Sequence, residues 1–295
     1  MGTQPRMRAS RHFLSLILFV LTSSFVIAEN DVELLEKIEF AKPDDVSLLL
    51  DLHLPKGVEN PPLLMFIHGG GWKSGDRKRC RLSWVAKQGY AVASIEYRLS
   101  QEALFPAQIQ DCKGALRWLR AKAGEYGYDA SKVVVAGTSA GGHLSALMGT
   151  SGDVSELEGE TAGHAEESSR VQGIIDYYGP SDFVKRSENQ PTKTDKPEGG
   201  VYQLLGGPVQ ENLEAARVAS PAAYISEDDP PLLILHGEKD KTVFLDQSEW
   251  FAKLYQEAGL DVHLEVFEGA GHGWPSTPRE KELVLNFLAK HLKDS

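Results

Sequence analysis

From residue 46 onward the chain alternates short, nearly continuous apolar runs with longer stretches of helical periodicity, and this alternation is its strongest constraint on architecture. Runs such as LLMFI at 63–67, VVVA at 133–136 and LLIL at 232–235 lack the polar positions of a half-exposed strand, so each reads as buried on both faces. Strands of that kind separated by helices build a mostly parallel sheet covered by helices on both sides. Strands are predicted at Val46–Leu54, Leu63–His68, Ala91–Tyr97, Val133–Thr138, Gly173–Tyr178, Pro231–His236 and Val262–Phe267, with a weaker eighth near Glu36–Ala41. Helices are predicted at Cys80–Gln88, Pro106–Gly124, Ala140–Gly149, Leu245–Ala258 and Pro278–Leu292. The last repeats apolar residues at Leu283, Phe287, Leu288 and Leu292.

No repeat and no linker divides residues 29–295, which read as one α/β domain. Two stretches interrupt the alternation. Residues 151–169 are small and acidic and read as a surface loop. Residues 184–226 mix a polar Pro/Lys stretch with a short helical piece and read as a candidate cap over a pocket.

Before the domain, Arg6, Arg8 and Arg11 precede an uncharged apolar run, Phe13 to Ala28, that ends in V-I-A. The run is short for a bilayer span and closes on a small-residue cleavage pattern, so residues 1–28 read as a signal peptide; an uncleaved anchor is the alternative. No cysteine follows the run, which argues against a bacterial lipoprotein anchor. Cleavage removes three arginines and no acid, moving the formal net charge from −11 to −14. Such a charge disfavours nucleic acid and anionic membranes as partners. The two cysteines, Cys80 and Cys112, leave a disulfide open, with buried free thiols the favoured reading. No Cys/His cluster has metal-ligand spacing, and no metal or other cofactor is expected.

The chemistry is carried by four short motifs. Gly137-Thr138-Ser139-Ala140-Gly141 lies directly after the strand VVVA and directly before a helical run. A serine on such a strand-to-helix turn is exposed as a nucleophile, with a helix N-terminus aimed at the oxyanion it creates. His68-Gly69-Gly70-Gly71-Trp72 follows LLMFI. Glycines there let backbone N–H groups face a ligand, and Gly70, Gly71 and Ala140 are assigned to an oxyanion hole, with Gly69 a competitor. His68 reads as structural. Asp240 follows LLILHGEK, and His272 lies in Gly269–Trp274 after VHLEVF. The order Ser139, Asp240, His272 is that of an α/β-hydrolase triad, with Asp182 and Glu238 as competing acids. Trp72 and Trp274 adjoin two of these loops and read either as substrate-stacking residues or as scaffold.

With HGGGW, GTSAGGH, HGEKD and GAGHGW in correct order, the chain from about Leu34 to its C-terminus resembles carboxylesterases related to bacterial feruloyl and acetylxylan esterases. It is more distantly similar to the hormone-sensitive-lipase group. That group usually has Asp before the nucleophile and a D-P-L-x-D acid setting; this chain has Thr138 and G-E-K-D, which favours the plant-polysaccharide esterase branch. The resemblance implies an α/β-hydrolase fold with an eight-stranded sheet and Ser139, Asp240 and His272 on the triad positions. It puts Gly70, Gly71 and Ala140 on the oxyanion positions, and it implies a secreted or periplasmic enzyme acting on small-molecule or polysaccharide-linked esters. A peptidase or arylformamidase-like amidase would use the same constellation, and a non-catalytic binding protein on the same scaffold is the rival from another class. Arg98 and Asp111 fall on structural segments.

Overall fold

The computed structural model describes residues 1–2, 31–152 and 154–292. The leader expected at 1–28 lies, apart from its first two residues, outside the described residues. Eight strands form one sheet: β1 (Val32–Ala41), β2 (Leu48–Pro55), β3 (Pro62–Ile67), β4 (Ala91–Ile95), β5 (Asp129–Thr138), β6 (Gly173–Tyr177), β7 (Leu232–Gly237) and β8 (Val262–Phe267). Their order is β1-β2-β4-β3-β5-β6-β7-β8. β2 pairs antiparallel with β1 and β4, and all remaining pairs are parallel, so the sheet is mostly parallel as the alternation predicts.

The apolar runs are continuous because successive residues enter two different cores. Leu63, Met65 and Ile67 of β3 face one side with Val133 and Val135 of β5. Leu64 and Phe66 face the other with Val134 and Ala136. The first side is covered by α1 (Ala107–Tyr126), α2 (Ala140–Thr150) and, further along the chain, α7 (Asp246–Glu257), through residues such as Leu116, Leu144 and Phe251. The second is covered by a 3-10 turn at Ser83–Gln88 and by α8 (Pro278–Leu292), whose Val284, Leu288 and Leu292 are buried. Both cysteines are free thiols, and Cys112 is buried on α1.

Most strand ends shift by a few residues from the sequence reading, β5 for instance beginning at Asp129, and three differences have a clear physical reason. β1 begins at Val32, because an outer strand with mostly solvent-facing positions has no clean apolar pattern. The helix expected from Cys80 is a 3-10 turn from Ser83, stopped by Gly89 in the left-handed region (φ 90°). Residues 183–218 hold four short helices, α3 (Phe183–Asn189), α4 (Pro191–Thr194), α5 (Gly200–Leu205) and α6 (Leu213–Val218), each too short to show a helical period.

The loop after α2 is tied down by charge. Lys113 of α1, fully buried, donates to Ser151 O and Glu158 Oε1 (both 2.6 Å), and Arg117 donates to Glu158 Oε2 (2.8 Å) and Gly159 O (3.1 Å). Among the described residues no helix is long and apolar enough to cross a membrane.

Candidate active site

Parallel strands deliver their following loops to one edge of the sheet, and the predicted motifs follow β3, β5, β7 and β8. The turn after β5 holds Ser139 at φ 54°, ψ −115°, a strained backbone for a non-glycine residue. Its flanking glycines are steric necessities. A Cβ on Gly137 would lie 2.2 Å from Gly141 O, and one on Gly141 would lie 2.0 Å from Ile67 O. The turn is pinned by Ser139 N donating to Tyr177 O (2.8 Å) and by His143 N donating to Ser139 O (2.9 Å).

His272 reaches this turn from the loop after β8. Its Nε2 is 2.9 Å from Ser139 Oγ, and its Nδ1 is 2.6 Å from Asp240 Oδ2. The second carboxylate oxygen, Oδ1, accepts from the backbone N–H groups of Thr242 (2.7 Å) and Val243 (3.1 Å). Burial pushes the Asp240 carboxyl up, but hydrogen bonds from His236 and His272, electrostatic attraction to the His272 ring and the Thr242 N–H outweigh it and hold the group well below the usual carboxylate range. Asp240 is therefore an anion at neutral pH, able to fix an Nδ1–H tautomer and leave Nε2 free to accept a proton. The competing acids are used elsewhere: Asp182 Oδ1 caps α3 through Lys185 N (2.9 Å), and Glu238 Oε2 accepts from Gly269 N (2.8 Å).

The glycine loop after β3 turns beside the serine. Gly70 (φ 125°) admits no side chain, since a Cβ would meet Ser74 O at 1.9 Å, and Gly71 is left-handed (φ 63°). Among the described residues the Gly70 and Gly71 N–H groups donate to no protein acceptor, and the Ala140 N–H lies in the first turn of α2, where helices leave donors free. Gly69 packs against the nucleophile turn, its Cβ position 2.6 Å from Thr138 O. His68 is buried, stacked on Tyr97 with ring centroids 4.4 Å apart.

The two tryptophans differ. Trp72 is buried edge-on against Phe183 and His143, donates Nε1–H to His143 Nδ1 (3.2 Å), and still lines the cavity beside Ser139. Trp274 lines neither cavity at the serine. It stacks on Phe267 (4.6 Å), and its Nε1–H donates to Glu280 Oε2 (3.1 Å). Glu280 is fully buried and also receives Arg81 Nε (3.0 Å), Arg81 Nη2 (2.7 Å) and Tyr177 Oη (3.0 Å). Of the two readings of Trp274, the scaffold one fits this placement: it anchors the loop that carries His272.

Three residues at the site were missed. His236, buried on β7, sends Nε2–H toward Val243 O (3.0 Å) and Asp240 Oδ2 (3.3 Å), while Nδ1 accepts from Ser248 Oγ (2.7 Å). Tyr178, at φ 47°, sets its ring edge-on to His272 with centroids 4.6 Å apart. Arg186 of α3 is buried and lines a cavity that Ser139 also lines. The first two sit at or just past the C-terminal ends of β7 and β6, where site residues gather in this kind of sheet; nothing local marked Arg186.

Two cavities meet at Ser139. One, of about 320 Å³, runs under α3 and α5 and is walled by Gly70, Gly71, Trp72, Arg186, Lys193 and Val201 among others. The second, of about 400 Å³, is walled by Gly69, Gly70, Arg79, Tyr178 and His272. Ser139, Gly70, Gly71 and Thr242 line both.

A nucleophile turn after β5, an acid after β7 and a histidine after β8 on a mostly parallel eight-stranded sheet define an α/β-hydrolase. Residues 50–255 match the BD-FAE family model, and the chain belongs to that family. It is 33% identical over 238 residues to Esterase LipC of Mycobacterium tuberculosis, covering 78% of this chain and 58% of the relative. The chain spans about half the length of the curated relatives it matches. Among solved structures, a truncated carbohydrate esterase from gut microbiota superposes with TM-score 0.80 at 28% identity, over 90% of this chain and 99% of that one. Esterase 2 of Thermogutta terrifontis, phosphonylated by sarin, superposes with TM-score 0.72 at 26% identity, over 90% and 97%.

Proposed function

We propose that the protein is a serine carboxylic ester hydrolase that turns over through an acyl-enzyme at Ser139. The observation that carries this reading is the continuous hydrogen-bonded chain from Ser139 Oγ through the His272 ring to Asp240 Oδ2, at 2.9 and 2.6 Å. Oγ attacks the ester carbonyl as His272 Nε2 takes its proton, the new C–O bond forms, and the oxyanion is held by the N–H groups of Gly70, Gly71 and Ala140. The tetrahedral centre collapses, breaking the bond to the alkoxide, which leaves with the proton from His272. Water then repeats the sequence on the acyl-enzyme, releasing the acid and restoring Ser139.

The substrates proposed are esters of small acyl groups, acetyl and feruloyl among them, borne by small alcohols or plant polysaccharide. The gut carbohydrate esterase and a bifunctional GH43-CE from Bacteroides eggerthii, matched at TM-score 0.78 and 31% identity, support the carbohydrate setting. The arginines and apolar run of residues 6–28 support export, to the periplasm or beyond the cell. The test is a panel of p-nitrophenyl esters, acetylated xylan and methyl ferulate, assayed with wild type and Ser139→Ala. The reading expects turnover by wild type and loss of about 10³-fold or more in the variant with an unchanged melting curve. Substantial esterase activity in a folded Ser139→Ala protein would end it.

A further inference from the structure

We propose that the cavity under α3 and α5 is an acyl pocket for esters whose acid part carries a second, distal carboxylate, received by Arg186. The proposal rests on the esterase reading above and adds a substrate class to it. The two cavities are told apart by the proton path: the departing alkoxide must collect a proton from His272, so the alcohol leaves through the cavity that His272 lines. The other cavity, which shares Ser139, Gly70 and Gly71 but not His272, is left for the acyl group.

Arg186 is only 4% exposed, yet it has no ion pair among the described residues. Nε donates to Gln190 Oε1 (3.1 Å) and Nη2 to Thr242 O (2.8 Å), while Nη1 has no protein acceptor among the described residues. Burial pushes the guanidinium down to about 10, and it stays cationic at neutral pH. Asp240 and Asp246 act on it from a distance. Asp240 is committed to His272, His236 and two backbone N–H groups; Asp246 Oδ2 accepts from Asn189 and its Oδ1 has no hydrogen-bond partner among the described residues, yet neither carboxylate forms an ion pair with the guanidinium. A neutral amide would serve the two neutral acceptors without the penalty of a buried, unpaired charge. The guanidinium gains its counter-charge when an anionic oxygen enters the cavity it lines. Lys73 and Lys193 stand in the same wall against one acid, Glu198, in a protein of formal net charge −11.

The experiment compares kcat/KM, followed by pH-stat, for monoethyl glutarate and ethyl pentanoate, which share a chain length and differ in the distal carboxylate. The wild type is expected to favour the half-ester by about tenfold or more, as a charged hydrogen bond supplies. That ratio should fall to about one or below in Arg186→Gln and recover in part in Arg186→Lys; a ratio cancels damage common to both substrates. Should Arg186→Gln fail to fold, the wild type alone decides: glutarate should inhibit hydrolysis of ethyl acetate about tenfold more strongly than pentanoate. No preference for the half-ester, equal inhibition by the two acids, a ratio unmoved by Arg186→Gln, or a preference seen only for 4-acetoxybutanoate over butyl acetate would overturn the proposal while leaving the esterase reading intact. Failure to turn over any ester would overturn both.

Discussion

Replacing His236 with alanine tests whether the acid of the triad is held by its surroundings. The imidazole is completely buried and bridges three groups: it donates from Nε2 to Val243 O and Asp240 Oδ2 and accepts at Nδ1 from Ser248 Oγ. Val243 O cannot donate, so Nε2 carries the hydrogen and Nδ1 is the acceptor. Truncation removes a buried ring and strands the Val243 carbonyl and the Ser248 hydroxyl, for a loss of about 3–5 kcal/mol. In a domain of this size that lowers the melting temperature by roughly 10 °C. The catalytic effect is smaller in kind, because Asp240 keeps three of its four donors: His272, Thr242 N and Val243 N. We expect kcat to fall about tenfold, the worth of one hydrogen bond to a charged group, against about 10³–10⁴-fold for Asp240→Ala. Differential scanning fluorimetry and p-nitrophenyl acetate kinetics below the melting range read the two effects separately. A His236→Ala protein that melts within about 2 °C of wild type, with kcat unchanged, would refute the bridging role.

Other expectations follow from single contacts. Gly141→Ala drives a Cβ to within 2.0 Å of Ile67 O and is expected to cost about 3 kcal/mol or more in urea unfolding, whereas Gly71→Ala, left-handed but in open space, should cost about 1–2 kcal/mol. Equal losses would mean that the nucleophile turn relaxes freely. Burial raises the Asp176 carboxyl to about 6, against the hydrogen bond it accepts from Gly179 N. The folded state then holds the proton more tightly than the unfolded state, so wild type loses stability relative to Asp176→Asn as pH rises from about 4 to about 6, by up to about 3 kcal/mol. A difference that stays flat across that range in chemical denaturation contradicts the assignment. Trp274→Phe keeps the stack on Phe267 and loses the bond to Glu280; it should cost about 1 kcal/mol and leave kcat/KM within about threefold, while a selective rise in KM would return Trp274 to the substrate.

The sheet was legible because its central strands are apolar on both faces, and that requirement writes itself into uninterrupted runs such as Leu63–Ile67 and Val133–Ala136. β1 was only partly legible, since a solvated outer strand imposes little on its residues. Motifs marked Ser139, Asp240 and His272 because each stands just past a strand end in a glycine-bearing turn whose geometry few residue types tolerate. His236 sat in one of those motifs, HGEKD, but two of its three partners, Val243 and Ser248, lie on the following loop and on α7, a closure that only tertiary structure reveals. Arg186 left no trace for the same reason. Its helix is seven residues long, and its importance comes from what is missing around the guanidinium rather than from any neighbour in the chain.

Covalent labelling bears most directly on the idea that one serine, activated by one histidine, carries the acyl group. Intact-protein mass spectrometry after treatment with a fluorophosphonate, followed by peptide mapping, is expected to find a single adduct on Ser139, formed far more slowly by His272→Ala. An adduct on another residue, or equal labelling rates in wild type and His272→Ala, would contradict it.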